Sequence, residues 1–170
     1  ASLFAAMERR ETFATSGPRI SVRFFGGWGF EPDAHRRSDV VRVGYARGVP
    51  MGGALPARQG QGPPTFVVLA ARDPRGANLD RLQIVKGWID AAGASHERIY
   101  DVAASDGRAI DAVSHRAARL PSTVDAPRAT WANDVGAAEL GATWSDPEFA
   151  PRERAFYYAR AVEIATPRWS

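Results

Sequence analysis

Three histidines, His35, His96 and His115, are the first residues to weigh, because neutral imidazole is the commonest metal ligand among side chains. A metal site needs ligands that converge. These three stand far apart, with no His-x-x-x-His or Glu-plus-His pairing on a helical face, so they read as solvated or structurally satisfied histidines. Asp101, Asp106 and Asp111 recur at a regular interval but lack the glycine and terminal glutamate of a calcium loop, and they read as turn and surface carboxylates. For nucleophilic chemistry there is no Gly-x-Ser-x-Gly elbow, Ser16-Gly17 falls in a turn, and the chain has no cysteine to supply a thiolate. Gly26-Gly27-Trp28-Gly29 is glycine-rich without the Lys and Ser/Thr that complete a phosphate loop, which leaves it as a turn.

The five tryptophans, Trp28, Trp88, Trp131, Trp144 and Trp169, offer a different chemistry. A flat apolar ring with a polar edge suits stacking on a sugar, and an exposed Trp28 or Trp131 would make the chain a carbohydrate- or ligand-binding module. Three of the five lie in or beside expected strands, where core or inter-domain packing is the plainer role. Trp28, outside those strands, is the one to watch.

The elements that must position these residues follow from the hydrophobic pattern. Leu3, Phe4 and Met7 share a helical face from Ser2 to about Thr12, and nothing before them covers it, which points to a missing neighbour. Ala14-Thr15-Ser16-Gly17-Pro18 is a turn. Ile20, Val22 and Phe24 then alternate with Ser21, Arg23 and Phe25 as in a half-buried strand. A second short helix is expected over 38–46, capped by Ser38 and ended by Gly48, and a Gly/Pro/Gln-rich loop over 51–64. Further strands are expected over 65–72 and 81–88, which read as an antiparallel pair, then over 97–104, 139–144 and 155–164. In the last of these Phe156, Tyr158, Val162 and Ile164 share a face. The stretch 108–121 has no period and reads as an excursion loop, and Trp169 closes the chain as part of an interrupted pattern. Short strands between Gly/Pro turns, with helices confined to the beginning, predict a mainly β fold: an antiparallel immunoglobulin-like or fibronectin-like sandwich with a short N-terminal helix and one further short helix.

The bulk properties agree. The chain has 170 residues, of which 45% are hydrophobic and 24% charged, the proportions of a globular domain with a real core. The formal charge is only +3, with the basic residues scattered and a single lysine, Lys86, so no nucleic-acid partner is expected. No apolar run reaches the roughly 20 residues of a membrane span.

Several runs have a familiar form. They are Ala6-Met7-Glu8-Arg9-Arg10-Glu11-Thr12-Phe13-Ala14-Thr15-Ser16-Gly17-Pro18-Arg19-Ile20, Val49-Pro50-Met51-Gly52-Gly53, Asp73-Pro74-Arg75-Gly76-Ala77-Asn78-Leu79-Asp80-Arg81 and Glu97-Arg98-Ile99-Tyr100-Asp101-Val102. With 146–170, including Phe156-Tyr157-Tyr158-Ala159-Arg160, they resemble the end of the bacterial family called domain of unknown function 3604. The stretch 104–120 and Ala165, where a proline is expected, depart from its pattern. The resemblance implies a preceding metal-dependent hydrolase barrel of the polymerase-and-histidinol-phosphatase type, often exported to the periplasm or beyond, whose divalent metal and ligands lie in the barrel. On that view residues 1–18 are the barrel's last helix and linker, and 19–170 an accessory sandwich that braces it. No catalytic or metal-binding residue is then assigned to this chain, and no cofactor. Thr15, Ser16, Arg19 and Trp28, near the junction, are the residues placed to line the rim of the barrel's site. A purely oligomerising role through an exposed sheet edge is the remaining alternative.

Overall fold

The computed structural model describes residues 2–57, 60 and 62–167. Trp169 lies outside the described residues. The elements run α1 (Ser2–Glu8), β1 (Ser21–Gly27), a single 3-10 turn (Ala34–Arg36), α2 (Val40–Arg47), β2 (Gly48–Pro50), β3 (Thr65–Ala71), β4 (Leu79–Ile89), β5 (Ser95–Ala104), β6 (Val124–Asp125), β7 (Thr130–Trp131), β8 (Glu139–Ser145) and β9 (Arg154–Glu163). One sheet has the order β2-β1-β3-β8 and the other β5-β4-β9, with every neighbouring pair antiparallel. Their inner faces meet over a core of Phe24, Phe66, Val68, Leu79, Leu82 and Ile84. The expected mainly β, sandwich-like architecture with two short helices is what forms. Among the described residues no helix is long and apolar enough to cross a membrane.

Aromatic contacts tie the layers together. Phe66 of β3 lies 4.4 Å, centroid to centroid, from Tyr157 of β9, and Trp144 of β8 lies 4.9 Å from Tyr100 of β5. Such ring pairs contribute about 0.5–1.5 kcal/mol beyond the area they bury. The outer face of β1 and β3 is covered too, because Phe25 and Val67 pack under Phe30, Ala34 and the valines of α2. Gly44 permits that approach: a Cβ there would stand 2.6 Å from the Phe25 ring.

Two expectations need correction. Strands 65–72 and 81–88 do not pair. β3 lies between β1 and β8, while β4 lies between β5 and β9, so the connection through Asp73-Pro74-Arg75-Gly76 carries the chain from one sheet to the other. The physical reason is that β3 is apolar on both sides, Phe66 and Val68 inward and Val67 outward, and needs cover on two faces that a hairpin with β4 would not give. The second helix begins after Asp39 rather than at Ser38, and the Asp39 carboxylate holds Arg37 and Arg42 instead of capping the helix. In β9 Phe156 and Tyr158 share a face as expected, and it is the outward one, 62% and 39% exposed, while Tyr157, Ala159 and Ala161 face the core.

The excursion loop is anchored to the sheet. The Arg108 guanidinium donates to the Asp80 carboxylate and to the backbone carbonyl of Asp80, and the Ala117 N–H donates to Asp101 at 2.8 Å. Asp101 is therefore buried, receiving Gln83 Nε2 at 2.6 Å as well, and is not the surface carboxylate expected.

Candidate functional site

At the end of the sandwich where β1 and β8 finish and β9 begins, an open cleft of about 780 Å³ is lined by the aromatic residues Trp28, Trp88, Phe149 and Phe156. Its size falls within the range of small-molecule sites. The β-strand period puts Trp88 in the inward row after Ile84 and Lys86, so the indole emerges at the mouth of the sandwich. Trp28 follows β1 directly; its Nε1–H donates to the Pro56 carbonyl at 3.1 Å, and its ring meets Phe149 edge to face at 5.9 Å. Gly87 forms part of the wall because it has no side chain: a Cβ there would stand 2.4 Å from the Phe156 ring, which lies across it.

Beneath the cleft is a buried ion pair that joins the two sheets. Lys86 Nζ on β4 lies 2.7 Å from Asp146 Oδ2 just beyond β8, with side chains 2% and 0% exposed. A buried charge is costly unless it is paired and hydrogen-bonded, and here both members of the pair have further partners. Lys86 also donates to the Glu148 carbonyl at 2.7 Å and lies 5.2 Å from the Trp88 ring centre. Asp146 accepts the Glu148 N–H at 2.9 Å and the Tyr157 hydroxyl at 2.7 Å. The Tyr100 hydroxyl donates to the Glu148 carboxylate at 2.8 Å. This network fixes the turn at 146–149 that carries Phe149, and it fixes Trp88 from below. Burial, with the Asp146 charge, pushes the Tyr100 phenol up to about 12; burial and the hydrogen bond to Asp146 push Tyr157 up as well.

The junction residues are distributed over the molecule. Thr15 and Ser16 line a separate groove of about 730 Å³ between Phe13, Ile20 and Val22 and the β9 residues Ala159 to Glu163. The exposed Arg19 donates its backbone N–H to Asp73 at 2.8 Å, which, with the Arg75 N–H, holds that carboxyl below its usual range. Trp28 sits at the opposite end of β1, a strand of seven residues and thus about 23 Å long. Thr15 and Ser16 thus share a groove that Arg19 does not line, and Trp28 belongs to the aromatic cleft.

The histidines stay apart. His35 Nδ1 pairs with Thr143 Oγ1 at 3.1 Å, and burial lowers its pKa. His96 Nε2 meets Asp90 at 2.8 Å while its ring stacks on Trp88, and the His115 ring lies 5.0 Å from Tyr100. Among the described residues no group of three or more His, Asp or Glu side chains is placed to hold a metal ion. Trp131 lies on the β6–β7 hairpin, 39% exposed and away from the cleft lining.

Sequence reasoning singled out Trp28 but missed Trp88, Phe149 and Phe156 as its companions. A signal existed in the sole lysine, set in the inward period of an apolar strand at Leu82, Ile84 and Lys86, which demanded a buried carboxylate somewhere in the fold. No curated protein and no solved structure matches the chain. The family described as a protein of unknown function (DUF3604) matches across residues 1–170, and the chain belongs to that family.

Proposed function

We propose that the chain is the accessory β-sandwich of a larger, metal-dependent hydrolase, and that it docks on the catalytic barrel through α1 and Phe13. The observation carrying this reading is the state of α1. Its seven residues include none that is buried, and Leu3, Phe4 and Met7 are 73%, 71% and 61% exposed, with Phe13, which shares a groove with Ala6, at 52%. A helix this short is marginal in water on its own, since isolated helices below about 12–15 residues do not persist without packing. Single exposed apolar residues are ordinary, but four large ones within one short segment mark a surface that another body covers.

The segment after α1 does grip the sandwich. Glu11 accepts the Tyr45 hydroxyl, and the Arg10 backbone passes so close to Gly52 that a Cβ there would stand 2.3 Å from the Arg10 carbonyl oxygen. α1 is therefore presented at a fixed place with its apolar side open, as a docking element requires. The barrel, its metal and its hydrolytic chemistry come from the family resemblance, and the sandwich would supply rigidity and position.

The test is Leu3→Asp with Met7→Asp, made both in this chain and in the protein carrying the barrel. Docking predicts an unchanged thermal midpoint for the sandwich alone, together with a lowered midpoint and reduced hydrolytic turnover for the joined protein. Equal behaviour of variant and parent in the joined protein would remove the reading.

A further inference from the structure

We infer that the cleft between Trp28 and Trp88 is a binding site for a neutral saccharide. This goes beyond the docking role of α1, rests on a different set of residues, and does not depend on that reading.

The walls are aromatic. Phe156 is 62% exposed although it lies in a strand whose alternate positions are core, and it lines the cleft together with Trp28, Trp88 and Phe149. Such flat surfaces at a cleft mouth accept the C–H faces of a sugar ring, which are apolar, while leaving its hydroxyls at the edges. The rim supplies what those hydroxyls need. Glu97 and Glu153 offer carboxylate acceptors and Arg154 a guanidinium donor fork. With two acids and one base the rim carries a net negative charge, which disfavours a polyanion, and its mixed groups offer both acceptors and a donor. They suit a ligand that is uncharged and both donates and accepts hydrogen bonds.

Preorganisation strengthens the assignment. Trp28 is held by its hydrogen bond to Pro56, Trp88 is fixed between Lys86 and His96, and His96 is itself pinned by Asp90. Rings fixed in this way lose little freedom when a ligand arrives, which is where weak sugar contacts gain affinity. Gly87 keeps the wall low enough for Phe156 to lie over it, and a larger residue there would displace the ring.

The test uses this chain in calorimetric titration with neutral probes, namely β-1,4-linked glucose and xylose oligosaccharides and α-1,4-linked maltooligosaccharides, beside polygalacturonate as the charged comparison. Phe156→Ala, on an exposed ring, and Trp28→Ala are the variants, with circular dichroism to confirm folding. The inference expects saturable binding of at least one neutral series, weakened about tenfold or more in Phe156→Ala, as for loss of an aromatic anchor. It is overturned by no heat with any neutral probe at millimolar concentration, by preference for the polyanion, or by affinity unchanged in both variants. Because every arm uses the sandwich by itself, failure here leaves α1 docking standing, and failure of docking leaves this result standing.

Discussion

The aromatic cleft and the α1 segment are built on opposite principles. Under the cleft, a lysine of one sheet and an aspartate just beyond a strand of the other are buried together and held by hydrogen bonds to Glu148 and Tyr157. On α1, large apolar side chains stand in the open on a helix with no buried residue. The first region is closed by contacts within the chain; the second is held in position with its apolar side uncovered. The difference separates what the chain stabilises for itself from what it offers to another body.

The largest way to break the comparison is at the ion pair. Lys86→Ala or Asp146→Ala leaves a buried charge without its partner and should cost about 3–5 kcal/mol, read from denaturant unfolding. A loss below about 1 kcal/mol would mean that the pair is solvated and the cleft end is not locked. Alkaline titration probes the same network. Tyr100 and Tyr157 have folded pKa values raised above the ordinary phenol value, so their contribution is fully present below pH 10 and lost as pH rises, through about 12 for Tyr100. The expected loss from Tyr100 is about 2 kcal/mol, with phenolate absorbance and circular dichroism changing together. Phenolate formation near pH 10 at both positions without unfolding would contradict it.

In the α1 segment the effects should be small. Gly52 has φ +81°, and an alanine there pays roughly 1–2 kcal/mol for the left-handed backbone. The clash with Arg10 should add little if the α1 segment can swing aside, so a loss above about 4 kcal/mol, measured by thermal melting, would show α1 to be integral to the sandwich. Smallest of all, Leu3→Asp with Met7→Asp should change the stability of this chain by no more than about 0.5 kcal/mol.

The same contrast explains what could be read from the sequence. β1 and β5 were legible because stretches of each alternate apolar with polar residues, and β9 because it is rich in β-forming aromatic residues; their limits fall within about two residues of expectation. The partnership of β3 was not, because Phe66-Val67-Val68-Leu69 is apolar at every step and carries no sign of which strand lies beside it. The sense of β9 was hidden for a related reason: Phe156 and Tyr158 are as apolar as Tyr157, and only the cross-strand Gly87, far off in sequence, gives Phe156 an outward seat. Lys86 and Asp146 are joined by the packing of two sheets, which local pattern does not encode. The open face of α1 was legible at once, since its three apolar residues lie within a single turn and a half of helix.

Amide hydrogen exchange over residues 2–8 tests the docking account most directly, measured in this chain and in the protein that joins it to the preceding barrel. The account predicts exchange close to unprotected in the chain alone and strong protection in the joined protein, while the Lys86 strand is protected in both. Equal, unprotected exchange of α1 in both proteins would contradict it.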